Sequence, residues 1–228
     1  MLSTKKICIV GPCQSGSTRL FNLVRCIYEK KEKKVLSRHA VEFSIEKLDQ
    51  YSGQYDVILG KLHSTSVDYI NNYDIKLMPI RNLIDCAISA VIRFKTPVET
   101  ENLHTHYKNH IHENMSLYDK FKNHVDLIIR YEEYSVNQVK NLCKLLDIEL
   151  SNKEILEIMI DLEEMKDSKE IVENDDRNNS KYKKTLLSQS HNTSGGKTNK
   201  FLNLPIEVLD EILQDKVIVK FLERESYF

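Results

Sequence analysis

Residues 11 to 18 of this chain read Gly-Pro-Cys-Gln-Ser-Gly-Ser-Thr. An apolar run, residues 7–10, precedes this segment, and an apolar pattern with helical period, residues 18–29, follows it. A strand, a glycine-bounded loop and a helix in this order place backbone N–H groups at a helix N-terminus, where they bind an anion. The loops that bind nucleoside triphosphates follow the pattern Gly-x-x-x-x-Gly-Lys-Ser/Thr, and here Ser17 replaces that lysine. The segment therefore predicts an anion-binding loop that differs from an Mg-ATP loop.

The rest of the chain alternates short apolar runs with helical patterns. Five runs rich in β-branched residues and leucine predict strands buried on both faces, as in a parallel sheet, at residues 6–10, 34–36, 56–59, 75–80 and 125–129. Periodicity predicts helices at residues 18–29, 83–94 and 136–146. A capping box at residues 151–154 predicts the start of a further helix. A last helix is predicted at 206–213, with Pro205 as its first residue. This alternation predicts an α/β fold with three layers, in which helices flank a central, mostly parallel sheet.

Length and composition narrow the class of protein. The 228 residues fit a single domain, residues 1–228, with two polar segments at 96–117 and 163–194 that we interpret as surface loops or lids. The 33 basic and 34 acidic residues give a net charge of −1, which does not support nucleic-acid binding. Five cysteines without a Cys-x-x-Cys pair are typical of reduced thiols. No apolar run is long enough to span a bilayer, so we expect a cytoplasmic protein that does not bind membranes; its oligomeric state is left open.

A second polar signal follows the predicted strand 75–80. Arg81 comes directly after this strand, and Ser89 lies eight residues further on, about two turns into the predicted helix. A guanidinium and a hydroxyl at these positions are suited to binding one phosphate. The alternative is an exposed arginine near a helix cap and a serine on a polar helix face.

A third signal follows the predicted strand 56–59. Lys61 and His63 point to the same side if the chain stays extended, because side chains alternate along a strand. An ammonium beside a neutral imidazole lowers its pKa, which suits a general base near pH 7. The alternative is an ordinary surface histidine after a strand.

These segments together resemble the core motifs of the sulfotransferases that use 3′-phosphoadenosine 5′-phosphosulfate (PAPS). Residues 12–18 resemble the loop that binds the 5′-phosphosulfate, residues 61–63 the Lys-x-His element with the catalytic base, and residues 81–89 the Arg–Ser pair that binds the 3′-phosphate. Residues 129–134 are similar to the Tyr-Glu-Asp segment that ends a central strand in this family. Residues 190–197 resemble, more loosely, its C-terminal loop over the 3′-phosphate.

The resemblance covers residues 5 to 205 and implies a P-loop NTPase-like fold and a reaction. His63 would take a proton from a hydroxyl or amine acceptor, a small molecule or a carbohydrate, during in-line transfer of the sulfonate. Lys61 would stabilise charge on the transferring oxygens. PAPS would be the donor and 3′-phosphoadenosine 5′-phosphate (PAP) the product, with no metal. The cofactor-binding residues implied are Gln14, Ser15, Gly16, Ser17, Thr18, Arg19, Arg81, Ser89, Gly195, Gly196 and Lys197.

One position departs from the family pattern. Many members have lysine or arginine immediately before the Ser-Gly of the loop, where this chain has the uncharged Gln14. A neutral hydrogen bond is roughly half as strong as a charge-assisted one, so Gln14 stabilises a leaving phosphate less well. Arg19 and Lys61 are the candidates to compensate.

Two other functions stay open at this point. One is a nucleotide-binding phosphotransferase with a degenerate P-loop, although no predicted strand ends in the aspartate that such enzymes use for Mg²⁺. The other is a catalytically silent nucleotide-binding module, which the uncharged Gln14 favours. The histidines at 104, 106, 110 and 112 resemble a metal cluster, but we interpret them as part of a polar loop at the edge of the acceptor site.

Overall fold

The computed structural model describes residues 4–39, 45–63, 65–94, 102–167, 179–188 and 197–227. The five strands are β1 Lys5–Ile9, β2 Val35–His39, β3 Val57–Lys61, β4 Ile75–Ile80 and β5 Leu127–Arg130. They form one sheet in the order β2-β3-β1-β4-β5, and every neighbouring pair is parallel. The predicted α/β fold with a parallel central sheet is confirmed, with strand ends that differ by up to three residues.

Helices flank the sheet on both faces. They are α1 Ser17–Lys30, α2 Ile45–Tyr51, α3 Val67–Ile70, α4 Leu83–Phe94, α5 Leu103–Phe121, α6 Val136–Leu146, α7 Asn152–Asp167, α8 Ser180–Thr185, α9 Ile206–Leu213 and α10 Lys216–Arg224. The predicted capping box is present, because the Ser151 N–H donates to Glu154 Oε2 (2.7 Å) and the Glu154 N–H donates to Ser151 Oγ (3.2 Å).

The alternation of side chains along the strands divides the core in two. Ile7 and Ile9 of β1 pack with residues of α1, α6 and α7, whereas Cys8 and the following Val10 pack with residues of α4, α5 and α10. All four side chains are fully buried. The sheet is therefore the middle of three layers, as the apolar runs predicted.

The interpretation of residues 96–117 as a surface loop was wrong for its larger part. Residues 103–117 belong to α5, whose 19 residues bury an apolar stripe against α4 and α10. Tyr107, Ile111, Met115 and Tyr118 recur every three or four residues, and this period is that of a helix. Four histidines and Asn109 lie before or between these apolar residues along the chain and hide the stripe in the sequence. Residues 96–101 lie outside the described part of the chain.

Two further corrections concern the C-terminal part. Within the segment 163–194, residues 163–167 continue α7 and residues 180–185 form α8, so neither stretch is a loop; residues 168–178 and 189–194 are not described. The helix at 206–213 is not the last, because α10 follows it behind the N-cap Asp215, whose carboxylate accepts from the Val217 and Ile218 N–H groups. Pro205 is the N-cap of α9 and precedes its first residue.

In the described ranges, no helix has the length and apolar character needed to cross a membrane. The same residues contain no group of three or more metal-ligating side chains close enough to hold a metal ion. Two of the four histidines of α5 have carboxylate partners: His110 Nδ1 lies 3.8 Å from Glu113, and His112 Nε2 lies 2.8 Å from Asp215.

Candidate active site

The three segments selected from the sequence meet at one edge of the sheet. β3, β1 and β4 are neighbours and run in parallel, so the loops that follow them lie side by side. Gly11–Gly16 follow β1, and Arg81 directly follows β4. Lys61 is the last residue of β3, and His63 lies two residues further on. Ligands of open parallel sheets bind at this edge, beyond the carboxyl ends of the strands.

The loop after β1 presents unpaired backbone donors at the N-terminus of α1. Within the described residues, nothing accepts a hydrogen bond from the N–H groups of residues 14 to 18. The loop bends through positive φ angles at Gly11 (138°), Gln14 (61°) and Gly16 (93°). Its shape is held in part by Ser15 Oγ, which donates to the Pro12 carbonyl at 2.7 Å. Free N–H groups at a helix N-terminus are suited to binding an anion, and anion binding at this loop stays a prediction.

Gly16 contacts a tyrosine that leaves no room for a side chain. A Cβ at position 16 would lie 2.3 Å from Cδ2 of Tyr131, which follows β5. The same Tyr131 ring lies under the Arg81 guanidinium, whose central carbon is 4.8 Å from the ring centroid. One aromatic ring therefore contacts both the anion-binding loop and the arginine of the next strand end.

We expect Gly16→Ala to destabilise the protein and to weaken anion binding at the loop by at least about tenfold, because the ring and the loop must separate. Gly53→Ala is the matched control: Gly53 also has a positive φ, 83°, but a Cβ there meets nothing within 4 Å. The control should cost only the left-handed strain, about 1–2 kcal/mol. Thermal melting and titration with PAP compare the two variants. Equal losses of PAP affinity in both would contradict the role of the close Gly16–Tyr131 contact.

His63 and Lys61 both point to the start of α1. His63 Nδ1 lies 3.0 Å from the Gly11 carbonyl, and His63 Nε2 lies 3.4 Å from Ser17 Oγ. A carbonyl oxygen only accepts, so the neutral ring has its proton on Nδ1, and the lone pair of Nε2 points to the loop. Lys61 Nζ donates to Thr18 Oγ1 at 2.6 Å. The structure thus brings an imidazole and an ammonium group together at the predicted anion site.

The electrostatics keep His63 neutral. Burial and then the Lys61 ammonium lower the pKa of His63 to about 3, and the hydrogen bond to Gly11 opposes this only partly. The predicted lowering of the pKa agrees with this direction. A neutral imidazole is the form that accepts a proton.

We expect the His63 imidazole to stay neutral from pH 8 down to pH 5 in the free protein, whereas an unperturbed histidine titrates near pH 6.5. Below about pH 6.5 the histidine is therefore protonated in the unfolded chain and not in the native protein. This group makes the free energy of unfolding decrease as the pH falls. Bound PAP should raise the pKa, since its negative charge offsets that of Lys61. NMR titration of the His63 ring measures both effects; a midpoint near 6.5 without PAP would contradict the assignment.

Arg81 is buried and holds a network of polar contacts after β4. Its guanidinium lies 3.2 Å from the Asp85 carboxylate and 3.5 Å from Ser89 Oγ, and it also donates to the Lys197 carbonyl. Its Nε is buried without a hydrogen-bond partner among the described residues. The predicted Arg81–Ser89 pair is therefore assembled, and the reading of Arg81 as an exposed residue is wrong.

Lys200 is a site residue that the sequence analysis missed. Its Nζ donates to Ser89 Oγ at 2.8 Å, and burial together with Arg81 lowers the pKa of Lys200 to about 8. Lys197, which the resemblance implied, has an exposed side chain and reaches Arg81 through its carbonyl. Lys200 lies three residues beyond Lys197, and this short separation was the available signal. Gly195 and Gly196 lie outside the described residues.

Asp85 organises this second cluster. Its carboxylate is completely buried, and its second oxygen accepts from the Phe201 N–H at 3.2 Å. One carboxylate thus lies near the two cations Arg81 and Lys200, so the cluster has a net positive charge. An excess of positive charge beside an unpartnered Nε suits a phosphate.

Arg19 and Gln14 lie next to the loop. The Arg19 guanidinium forms an ion pair with Glu163 of α7 (2.6 Å) and lies over the Tyr134 ring, 4.7 Å from its centroid. Its compensation for the missing charge at Gln14 stays a prediction. Gln14 is half-buried in the left-handed conformation, next to the free N–H groups.

Asn114 of α5 is a second residue that sequence reasoning missed. Its side-chain amide bonds both the N–H and the carbonyl of Cys13 in the loop, at 2.7 and 3.2 Å. No signal pointed to it, because residues 96–117 were interpreted as a loop at the edge of the site.

Comparisons with known proteins identify the fold. No protein-family model matches the chain, and no curated protein sequence matches it. Among solved structures, the mouse sulfotransferase SULT7A1 in complex with PAP is 17% identical and matches with a TM-score of 0.64, over 96% of this chain and 88% of that chain. Retinol dehydratase in complex with androsterone and the inactive cofactor PAP is 12% identical, with a TM-score of 0.65 over 94% and 79% of the two chains. A complex of retinol dehydratase with retinol and PAP is also 12% identical, with a TM-score of 0.61 over 94% and 80%. The fold of this chain is therefore that of the PAPS-dependent sulfotransferases.

Proposed function

We propose that the protein is a sulfotransferase that moves a sulfonate group from PAPS to a hydroxyl or amine acceptor. One observation is the main support: His63 Nε2 and Lys61 Nζ contact the hydroxyls of Ser17 and Thr18 at the N-terminus of α1. A base and a cation thus lie at a loop with free N–H groups.

The residues present fit a nucleotide with two phosphate groups. The N–H groups of residues 14 to 18 and the Ser17 and Thr18 hydroxyls suit the 5′-phosphosulfate. Arg81, Ser89 and Lys200 suit the 3′-phosphate, since two cations and a hydroxyl converge there. The Tyr131 ring contacts both groups of residues, so the two anion sites lie close together.

The chemistry that PAPS supplies is an activated sulfonate. The part of His63 is to accept the proton of the acceptor hydroxyl or amine at Nε2 while Nδ1–H stays bonded to the Gly11 carbonyl. Lys61 places a positive charge where negative charge develops on the sulfonate oxygens. Gln14 and the loop N–H groups bind the phosphate that leaves, with Arg19 as a further cationic candidate.

The acceptor class stays broad. The related structure of retinol dehydratase holds androsterone, and that of a second complex holds retinol. For this chain we propose a small molecule or a carbohydrate with a hydroxyl or amine. The compartment that we propose is the cytoplasm, since all five cysteines are free thiols.

A silent nucleotide-binding module is the competing function that a specific observation favours. Gln14 gives the loop no positive charge at the position where many sulfotransferases have one. The contact of His63 Nδ1 with the Gly11 carbonyl counts against this function, because it leaves Nε2 able to accept a proton. A protein that only binds the nucleotide does not need such a base. Turnover separates the two functions.

The test uses PAPS as donor and panels of phenols, alcohols and amines as acceptors, with EDTA present. We expect PAP to form at a rate that depends on the acceptor, at typical enzyme rates of about 1–10³ s⁻¹ for a good acceptor. The sulfonated acceptor is identified by mass spectrometry. Binding of PAP without acceptor-dependent formation of PAP across these classes would favour the silent module.

A further inference from the structure

Asn114 fixes the middle of the anion-binding loop from outside it. Asn114 Oδ1 accepts from the Cys13 N–H at 2.7 Å, and Asn114 Nδ2 donates to the Cys13 carbonyl at 3.2 Å. The side chain is only 3% exposed. Both polar ends of one rigid amide therefore bond both backbone groups of a single loop residue, which restrains the two backbone dihedrals of Cys13.

The next residue shows why this restraint matters. Gln14 has a φ of 61°, a left-handed conformation that residues other than glycine rarely adopt. Such a conformation persists only when its surroundings impose it. Asn114 fixes the peptide groups on the N-terminal side of Gln14, and Ser15 on its other side is tied back to Pro12.

The conformation of Gln14 determines where the following backbone donors lie. The N–H groups of residues 14 to 18 start at this residue, and none of them has an acceptor in the described part of the chain. Asn114 accepts the hydrogen bond of the Cys13 N–H, so the first free backbone donor of the loop is that of Gln14. The helix of Asn114, α5, also packs against α4, which contains Ser89 of the second anion site.

We propose that Asn114 is a positioning residue for the 5′-phosphate of the bound nucleotide: it holds the loop in the conformation whose N–H groups bind that phosphate. The inference rests on the proposed function, because it takes the nucleotide to be PAPS or PAP. Both polar atoms of Asn114 bond Cys13 and the side chain is buried, so we assign it a role through the loop.

The proposal predicts a loss of affinity that depends on which phosphate the ligand contains. Asn114→Leu removes both hydrogen bonds at similar volume, and we expect the dissociation constant of PAP to rise roughly tenfold. Adenosine 3′-monophosphate, which lacks the 5′-phosphate, should bind the variant and the wild type equally. A merely structural role weakens both ligands together or neither.

Two further variants make the test decisive. Ile111→Val lies one turn earlier on α5, is fully buried, and should lower the Tm by a few degrees without changing either affinity. Asn114→Asp keeps an acceptor for the Cys13 N–H and loses the donor to the Cys13 carbonyl, so it answers the question if Asn114→Leu does not fold. Its PAP affinity should fall and its affinity for adenosine 3′-monophosphate should not.

Calorimetric titration with both ligands measures these affinities in the full chain. Unchanged PAP affinity in the Asn114 variants, or equal losses for both ligands, overturns the positioning role and leaves the proposed function standing. A wild-type protein that binds neither ligand overturns the proposed function and this inference with it.

Discussion

Replacing His63 by alanine is expected to reduce kcat for sulfonate transfer by about 10²–10⁴-fold while PAP affinity stays within a few-fold of wild type. The imidazole Nε2 faces the loop hydroxyl of Ser17 at 3.4 Å, and Nδ1 is engaged by the Gly11 carbonyl. The proton acceptor is therefore lost with the ring, whereas the N–H groups and cations that bind the nucleotide remain. Acceptor-dependent formation of PAP and calorimetric PAP titration measure the two quantities.

A pair of variants separates the base from the loop contact. His63→Asn keeps a side-chain N–H that can donate to the Gly11 carbonyl but has no basic nitrogen, so it should be as inactive as alanine. His124→Ala, at an exposed position, should leave both quantities unchanged. Wild-type turnover in His63→Asn would show that the histidine stabilises the loop and does not act as the proton acceptor.

Replacing Arg81 by methionine is expected to have the largest effect on stability. Asp85 is completely buried beside it, at 3.2 Å, so the change leaves an unpaired buried carboxylate. Loss of one partner from a buried ion pair costs about 3–5 kcal/mol. PAP affinity should fall at least about thirtyfold, which corresponds to about 2 kcal/mol or more for a lost charge–phosphate contact. Chemical denaturation and PAP titration measure these losses.

The double variant Arg81→Met/Asp85→Asn distinguishes folding from binding. Asparagine removes the unpaired charge and can still accept from the Phe201 N–H, so most of the stability should return while PAP affinity should not. Arg25→Met is the matched control, because Arg25 is equally buried and pairs with Glu29 of its own helix. This variant should lose stability and keep the PAP affinity of the wild type. Recovery of PAP affinity in the double variant would contradict the role of Arg81 as a phosphate ligand.

The fold could be predicted because its signals are local. Apolar runs of three to six residues predicted all five strands, and the parallel order of the loops followed from the alternation with helices. Ser151 and Pro205 marked helix starts through short-range capping chemistry. The helix α5 was missed because four histidines and two asparagines interrupt its apolar pattern in the sequence.

The candidate site was predicted where a strand end gives a residue its position. Lys61 is the last residue of β3, His63 lies two residues further on, and Arg81 directly follows β4, so the parallel sheet alone brings them together. Lys200 and Asn114 could not be found in this way, because each enters the site from a distant helix or turn through packing. Their partners, Ser89 and Cys13, are 111 and 101 residues away along the chain.

Calorimetric titration of PAP into the wild-type protein in buffer with EDTA tests the central claim most directly. The account predicts one PAP bound per chain, with an affinity that falls in Gly16→Ala and in the Arg81 variant and persists in His63→Ala. Absence of PAP binding, together with binding of ATP that requires Mg²⁺, would contradict it and would favour the phosphotransferase with a degenerate P-loop.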